Sequence, residues 1–250
     1  MWSQIKQIAK RFTLVRKIVC MIPVGLRYTF ASTSEKSGMN ITIGTTSPEL
    51  FDKQGKQLAE ELKAKMSADS VVLDFGCGLG RPEKFLSPFC KEIYGADISS
   101  GMLRLARKRH KDIHNIHFLK SNKTDLSILQ NCTFDFIFSE AVFMHMDKEH
   151  VILILKELHR VSKKGGKLYL MFPNLLCPSN LDDYIRSASK ILHPHRLRYW
   201  LPQEVELVTK AIGFEIISIE VRSDSRDESR DCQLDAYHRD YSIWAFVTKR

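Results

Sequence analysis

From residue 71 to the C-terminus, short apolar runs alternate with stretches whose apolar positions recur every three or four residues. The short runs lie near 71–75, 92–97, 116–120, 133–139, 166–172, 214–221 and 242–249, and they read as strands. The stretches near 82–90, 99–110, 147–162 and 202–212 carry the helical period. Strands alternating with helices in this way predict an α/β protein with a doubly wound, mostly parallel, seven-stranded sheet. No internal repeat or low-complexity tract interrupts the alternation.

Upstream, residues 47–66 predict one more helix. Ser47 suits its N-cap, Pro48 its first helical position, and Leu50, Phe51, Leu58 and Leu62 fall along one side. Residues 31–48 are polar and small, and read as a loop. At the N-terminus, Trp2, Ile5, Ile8, Ala9, Phe12, Val15, Val19 and Ile22 mark one apolar helical face, with Lys6, Lys10 and Lys17 opposite. Pro23 and Gly25 read as the stop of that helix. The pattern thus divides the chain into a basic amphipathic arm and loop, 1–46, and an α/β domain, 47–250. Within the domain, the stretch after the fifth strand is too long for a plain turn and predicts a lid or acceptor insertion near 174–201. Residues 222–231 read as a solvated charged loop.

Length and composition leave this picture unchanged: 250 residues at 44% hydrophobic content suit one full core, with or without a small appendage. The cysteines at 20, 77, 90, 132, 177 and 232 form no CxxC pair, which speaks against a zinc site and a secreted disulfide framework. A reducing, cytoplasmic setting follows.

Charge sharpens the reading of the arm. Residues 1–28 hold Lys6, Lys10, Arg11, Arg16, Lys17 and Arg27 with no acid, against a formal charge of +9 for the whole chain. An excess concentrated in a leading arm, rather than spread over a working face, disfavours nucleic acid as a partner without excluding it. The longest uncharged run there, 18–26, falls well short of the ~20 residues needed to span a bilayer. Three readings stay open: peripheral contact with an anionic membrane, on its inner face; a helix packed on the domain and capping its site; and a processed presequence.

The candidate chemistry begins at "VLDFGCGLGRPEKF", residues 72–85. An apolar strand, an acid, a glycine turn and a helix is the layout of a nucleotide-binding crossover. The dinucleotide fingerprint fails because Arg81 stands at its sixth position, and no lysine completes a P-loop. What remains is D-x-G-x-G-x-G, carried by Asp74, Gly76, Gly78 and Gly80.

That motif resembles the first motif of class I S-adenosylmethionine-dependent methyltransferases of the small-molecule type, and the likeness extends over roughly 45–250. "EIYGAD", "FDFIFSEAVFMHM" and "VILILKELHRVSKKGGKLYLMFPN" resemble the family's second strand, fourth strand with its loop, and helix with GG turn and fifth strand. The resemblance implies a Rossmann-like methyltransferase fold and S-adenosylmethionine as cofactor. It places Asp74, Gly76, Cys77, Gly78 and Gly80 around the donor's amino-acid part and Asp97 on the ribose hydroxyls. Ile98 and Met102 then fall near the adenine, and Ser139 at the end of the fourth strand. At the adenine's polar edge Asn122 is the candidate, although Ser121 adjoins it and the acid comes only at Asp125.

A base is needed only when the acceptor atom must lose a proton. His145 is the candidate for that role, with a helix-capping role equally open. His150 stands at the wrong helical offset to share a metal with it, and no metal is expected. Ser139-Glu140-Ala141-Val142 replaces the Asn/Asp-Pro-Pro-aromatic signature of base-amine methylation. Tyr184, Arg196 and Tyr199, with His193, His195, Arg198 and Trp200 nearby, either line an acceptor pocket or are packing with a solvated edge. The expected function is methyl transfer to a small molecule: a saccharide, a lipid-linked or a quinone-like acceptor, with oxygen the preferred atom. An RNA or protein methyltransferase and a catalytically silent donor-binding scaffold remain as alternatives, and the oligomeric state is open.

Overall fold

The computed structural model describes residues 24–188, 196–222 and 242–250. Seven strands form one sheet: β1 (Val71–Phe75), β2 (Glu92–Asp97), β3 (Ile116–Lys120), β4 (Phe134–Ser139), β5 (Ser162–Pro173), β6 (Phe214–Val221) and β7 (Ser242–Lys249). Their order is β3-β2-β1-β4-β5-β7-β6. β7 runs antiparallel to both neighbours and the other pairings are parallel. The chain reverses direction across the sheet at β1, where β2 lies on one side and β4 on the other. The carboxyl ends of strands at such a switch point are where open α/β sheets bind ligands.

The apolar runs are continuous because the inner strands are buried on both faces. Leu73 and Phe75 of β1 join one core with Leu155 and Leu158 of helix α6 (Lys148–Val161). Val72, one residue out of phase, joins the other with Leu58 and Leu62 of helix α3 (Pro48–Lys63). The remaining helices are α1 (Val24–Ala31), α2 (Glu35–Ile43), α4 (Glu83–Leu86), α5 (Ser100–Arg109), α7 (Pro178–Ser187) and α8 (Pro202–Ile212). α4 is short because Pro88 follows it, and a 3-10 turn, Ser87–Phe89, takes over.

Two expectations change. The segment 31–48 is not a plain loop, because α2 occupies its middle. Ser34 accepts from the Ser37 amide at 3.2 Å, Ser37 Oγ accepts from the Ser34 amide at 2.8 Å, and Gly44 ends the helix at φ 73°. Met39 and Ile43 then bury one apolar side against Leu79, Met102 and Leu105. Pro23 lies outside the described residues, and Gly25, read as part of the stop of the arm helix, lies inside α1, which begins at Val24. The arm before it, residues 1–23, lies outside the described residues, as do His193, His195 and 223–241, which hold most of the charged stretch. Helix α7 lies within the expected insertion.

Candidate functional site

The turn after β1 is built from its glycines. Gly76 sits at φ 84°, and a Cβ there would stand 2.1 Å from Val142 Cγ2, so only glycine fits. The Gly76 and Cys77 amides both donate to the Ala96 carbonyl, at 2.7 and 3.2 Å, which ties the turn to the end of β2. Gly78, at φ 55°, differs: a Cβ there would meet only Thr42 Oγ1, at 3.6 Å, and would project into open space.

Asp97 completes the link. Its Oδ2 accepts from the Gly78 amide at 2.9 Å and its Oδ1 from the Ser99 amide at 2.7 Å. Burial pushes this carboxyl above its usual range, and the amides pull it back. Each oxygen retains a lone pair, so the pair can accept from two neighbouring hydroxyls of a diol.

These residues open onto a cleft of about 900 Å³, its mouth included. Of the residues expected at the cofactor, Gly76, Gly78, Asp97, Ile98, Met102 and Asn122 line it. Ser121 and Lys123 line it beside Asn122, whereas Asp125 holds its own turn by accepting from the Ser127 amide at 2.6 Å.

Asp74, Cys77, Gly80 and Ser139 are not on its wall; they shape it from behind. Ser139 Oγ donates to the Phe75 carbonyl at 2.8 Å, Gly80 packs on the His110 ring, and burial pushes the Cys77 thiol up. Asp74 is buried beside Glu83, itself fully buried, and the two carboxyl groups hydrogen-bond to each other. Burial raises both acids, Glu83 to about 7, and the two negative charges raise Asp74 further. The Arg81 charge lowers both acids, and Arg81 pairs with Glu140 of the cleft wall and donates to Gln54 Oε1 at 2.9 Å.

The far wall comes from the segment after β4. Ala141 adopts φ 59°, a conformation costly for a residue with a Cβ, and lies on the cleft wall. A 3-10 turn, Phe143–His145, follows and brings His145 to the cleft. Tyr184, Arg196 and Tyr199 are grouped together but not on this wall. Tyr199 is buried and its hydroxyl donates to Asp183 Oδ2 at 2.8 Å. The Tyr184 ring stands edge-on to it at 6.3 Å, under the Arg196 guanidinium at 6.0 Å. That cluster ties α7 to the chain that follows it.

Sequence reading missed Tyr28, Ile41 and Thr42, which line the cleft from α1 and α2. Their one sequence signal was the Ser34–Ser37 capping pair. It also did not single out Lys123, Glu140, Val142 and Met146.

The cleft fits S-adenosylmethionine on two counts. Asp97 offers two acceptors to a ribose, and the open space at Gly78 admits a ligand to the backbone.

Comparison with known proteins agrees. A family model described as a methyltransferase domain matches residues 73–170. The chain is 32% identical over 137 residues to the biotin biosynthesis bifunctional protein BioHC of Cellvibrio japonicus, covering 55% of this chain and 26% of that protein. It is 30% identical over 116 residues to a demethylmenaquinone methyltransferase of Staphylococcus saprophyticus, covering 45% of this chain and 48% of that protein. The matched stretch thus spans half or less of these relatives. Among solved structures, the PH0226 protein of Pyrococcus horikoshii superposes with a TM-score of 0.63 at 23% identity, covering 82% of this chain and 92% of that one, which shows the shared fold.

Proposed function

Because the chain belongs to the class I S-adenosylmethionine-dependent methyltransferase family, with S-adenosylmethionine as its cofactor, we propose that it methylates a small molecule, at oxygen, with His145 as the base. The observation that carries this reading is that one cleft joins the Gly76–Gly78–Asp97 group to His145.

Bound S-adenosylmethionine supplies a methyl group already activated by its sulfonium. The chain's own work is to hold, align and exclude water. Asp97 would anchor the ribose, Ile98 and Met102 would pack on the adenine, Asn122 would meet its polar edge, and the Gly76–Gly78 backbone would receive the amino-acid part. His145 would take the acceptor's hydroxyl proton on a ring nitrogen as that oxygen accepts the methyl group. Tyr184, Arg196 and Tyr199 act by holding α7 rather than by touching the acceptor.

Peripheral contact with an anionic membrane through residues 1–28 belongs to the same proposal. No helix among the described residues is long and apolar enough to cross a membrane, but Leu26 and Phe30 of α1 are 48% and 68% exposed. Flotation with anionic liposomes, lost on deletion of 1–28, is the expected result; unchanged flotation by the deleted chain would remove the membrane from the reading.

The decisive test is transfer of labelled methyl from S-adenosylmethionine into a fractionated cell extract. Label in small saccharides, lipid-linked species or quinones is expected, and it should vanish with His145→Ala. Label in RNA or protein instead would overturn the acceptor class, and no transfer at all would leave a donor-binding scaffold.

A further inference from the structure

Tyr28 belongs neither to the glycine turn nor to the residues that the family model matches, yet it lines the cleft. Its helix, α1, is seated on the donor side at two crowded points. A Cβ on Gly25 would stand 2.8 Å from the Ile98 carbonyl oxygen, and one on Gly101 would stand 2.3 Å from Ser32 Oγ and 2.7 Å from the Thr29 carbonyl oxygen. Thr29 Oγ1 lies 3.2 Å from Ser99 Oγ and accepts from the Gly101 amide at 3.4 Å, and Arg104 Nη2 donates to the Ser32 carbonyl at 3.3 Å. Backbones this close in a densely packed interior leave little freedom for sliding. α1 therefore keeps one register against the end of β2, and that register brings the Tyr28 ring to the cleft. There it stands edge-on to His145, with centroids 6.4 Å apart and planes at 66°.

The cleft wall carries the Asp97 carboxylate, whereas Glu140 is paired with Arg81. An aromatic face adds to the Asp97 charge, because its quadrupole attracts a cation within about 6 Å of the ring centre. Burial, and then the Asp97 charge, push the Tyr28 hydroxyl above its ordinary pKa. A neutral phenol therefore faces the cleft through the physiological range, and the attraction belongs to the ring.

We propose that Tyr28 is a donor-binding residue that distinguishes the sulfonium of S-adenosylmethionine from the thioether of its product, holding the first by a cation–π contact and releasing the second. The inference rests on the reading of the cleft as the methyl-donor site. Transfer removes the charge that the ring attracts, so the reaction itself loosens the hold on S-adenosylhomocysteine.

The test is calorimetry of the full chain with S-adenosylmethionine and S-adenosylhomocysteine titrated separately. Tyr28→Phe should keep the native ratio of the two dissociation constants. Tyr28→Leu should weaken the sulfonium ligand about three- to tenfold more than the thioether. Phenylalanines of increasing fluorination placed at position 28 keep the ring's shape, and should lower the ratio stepwise even where leucine impairs folding. Gly101→Ala, whose Cβ presses on α1 and not on the cleft, should lower the same ratio. Equal weakening of both ligands by Tyr28→Leu, with no trend along the fluorinated series, would overturn the proposal while leaving the donor reading intact. A native chain that binds neither ligand would instead end the donor reading, and this inference with it.

Discussion

The two sides of the cleft are fastened in different ways. On the β1–β2 side the backbone does the work: the Gly76 and Cys77 amides share the Ala96 carbonyl, and Asp97 takes the amides of Gly78 and Ser99. On the α1–α2 side the fastenings are side-chain hydroxyls, Thr29 to Ser99 and Ser34 with Ser37, and glycines that let helices approach. A backbone fastening allows few residue types, whereas a hydroxyl contact survives many substitutions. Damage should therefore be severe and specific on the first side, graded and general on the second.

The largest expected effect is at Asp97. Asp97→Ala removes both acceptors for the ribose and the carboxylate that orders Gly78 and Ser99. Hydrogen bonds to a charged group contribute about 1.5–3 kcal/mol each, so S-adenosylhomocysteine affinity should fall at least about a hundredfold. Calorimetry showing a loss under about tenfold would mean that this side is not held by Asp97.

Next comes the acid pair behind the turn. Glu83 is raised from 4.5 to about 7, so between those values the folded chain keeps a proton that the unfolded chain has released. The associated stability is fully present below pH 4.5 and is lost as pH rises through 7, on the order of 3 kcal/mol in all. Asp74 is raised as well, so it adds loss in the same direction, and the measured midpoint belongs to the pair. Thermal melts across this range should show the decline in the native chain and flatten it in Glu83→Gln. An equal decline in both would assign it to other groups.

Gly76→Ala tests the turn itself. The left-handed backbone and the Val142 contact together should cost roughly 2 kcal/mol. Val142→Ala in the same chain should recover part of that, read as a coupling term in a double-mutant cycle. Strict additivity would place the strain elsewhere.

The same contrast explains what could be read from residues alone. The glycine turn, Asp97 and the order of strands and helices were legible because left-handed turns and two-faced burial restrict composition. Tyr28, Ile41 and Thr42 were not, because they reach the cleft through tertiary docking of short helices whose composition resembles loop. Asp74, Cys77 and Gly80 were read as donor contacts because they share the motif with Gly76 and Gly78, and Ser139 because it ends the fourth strand; tertiary packing turns Asp74 toward Glu83, Gly80 toward His110 and Ser139 toward the Phe75 carbonyl instead. Tyr184, Arg196 and Tyr199 carried the right chemistry for a pocket, but their spacing equally suits the cluster that holds α7.

The smallest predicted effect asks whether the α1–α2 side is part of the domain at all. Ser34→Ala removes one half of the capping pair, worth about 1 kcal/mol of helix stability. If α2 frayed on its own, the global melt would not register the change, and only the amides of 35–43 would exchange faster. The burial of Met39 and Ile43 with Leu79, Met102 and Leu105 argues otherwise, because that core also contains the donor-side helix α5. The expected outcome is a single transition lowered by a few degrees, with S-adenosylhomocysteine affinity changed less than about threefold. Loss confined to exchange at α2, with an unshifted melt, would make the N-terminal wall a separately opening unit.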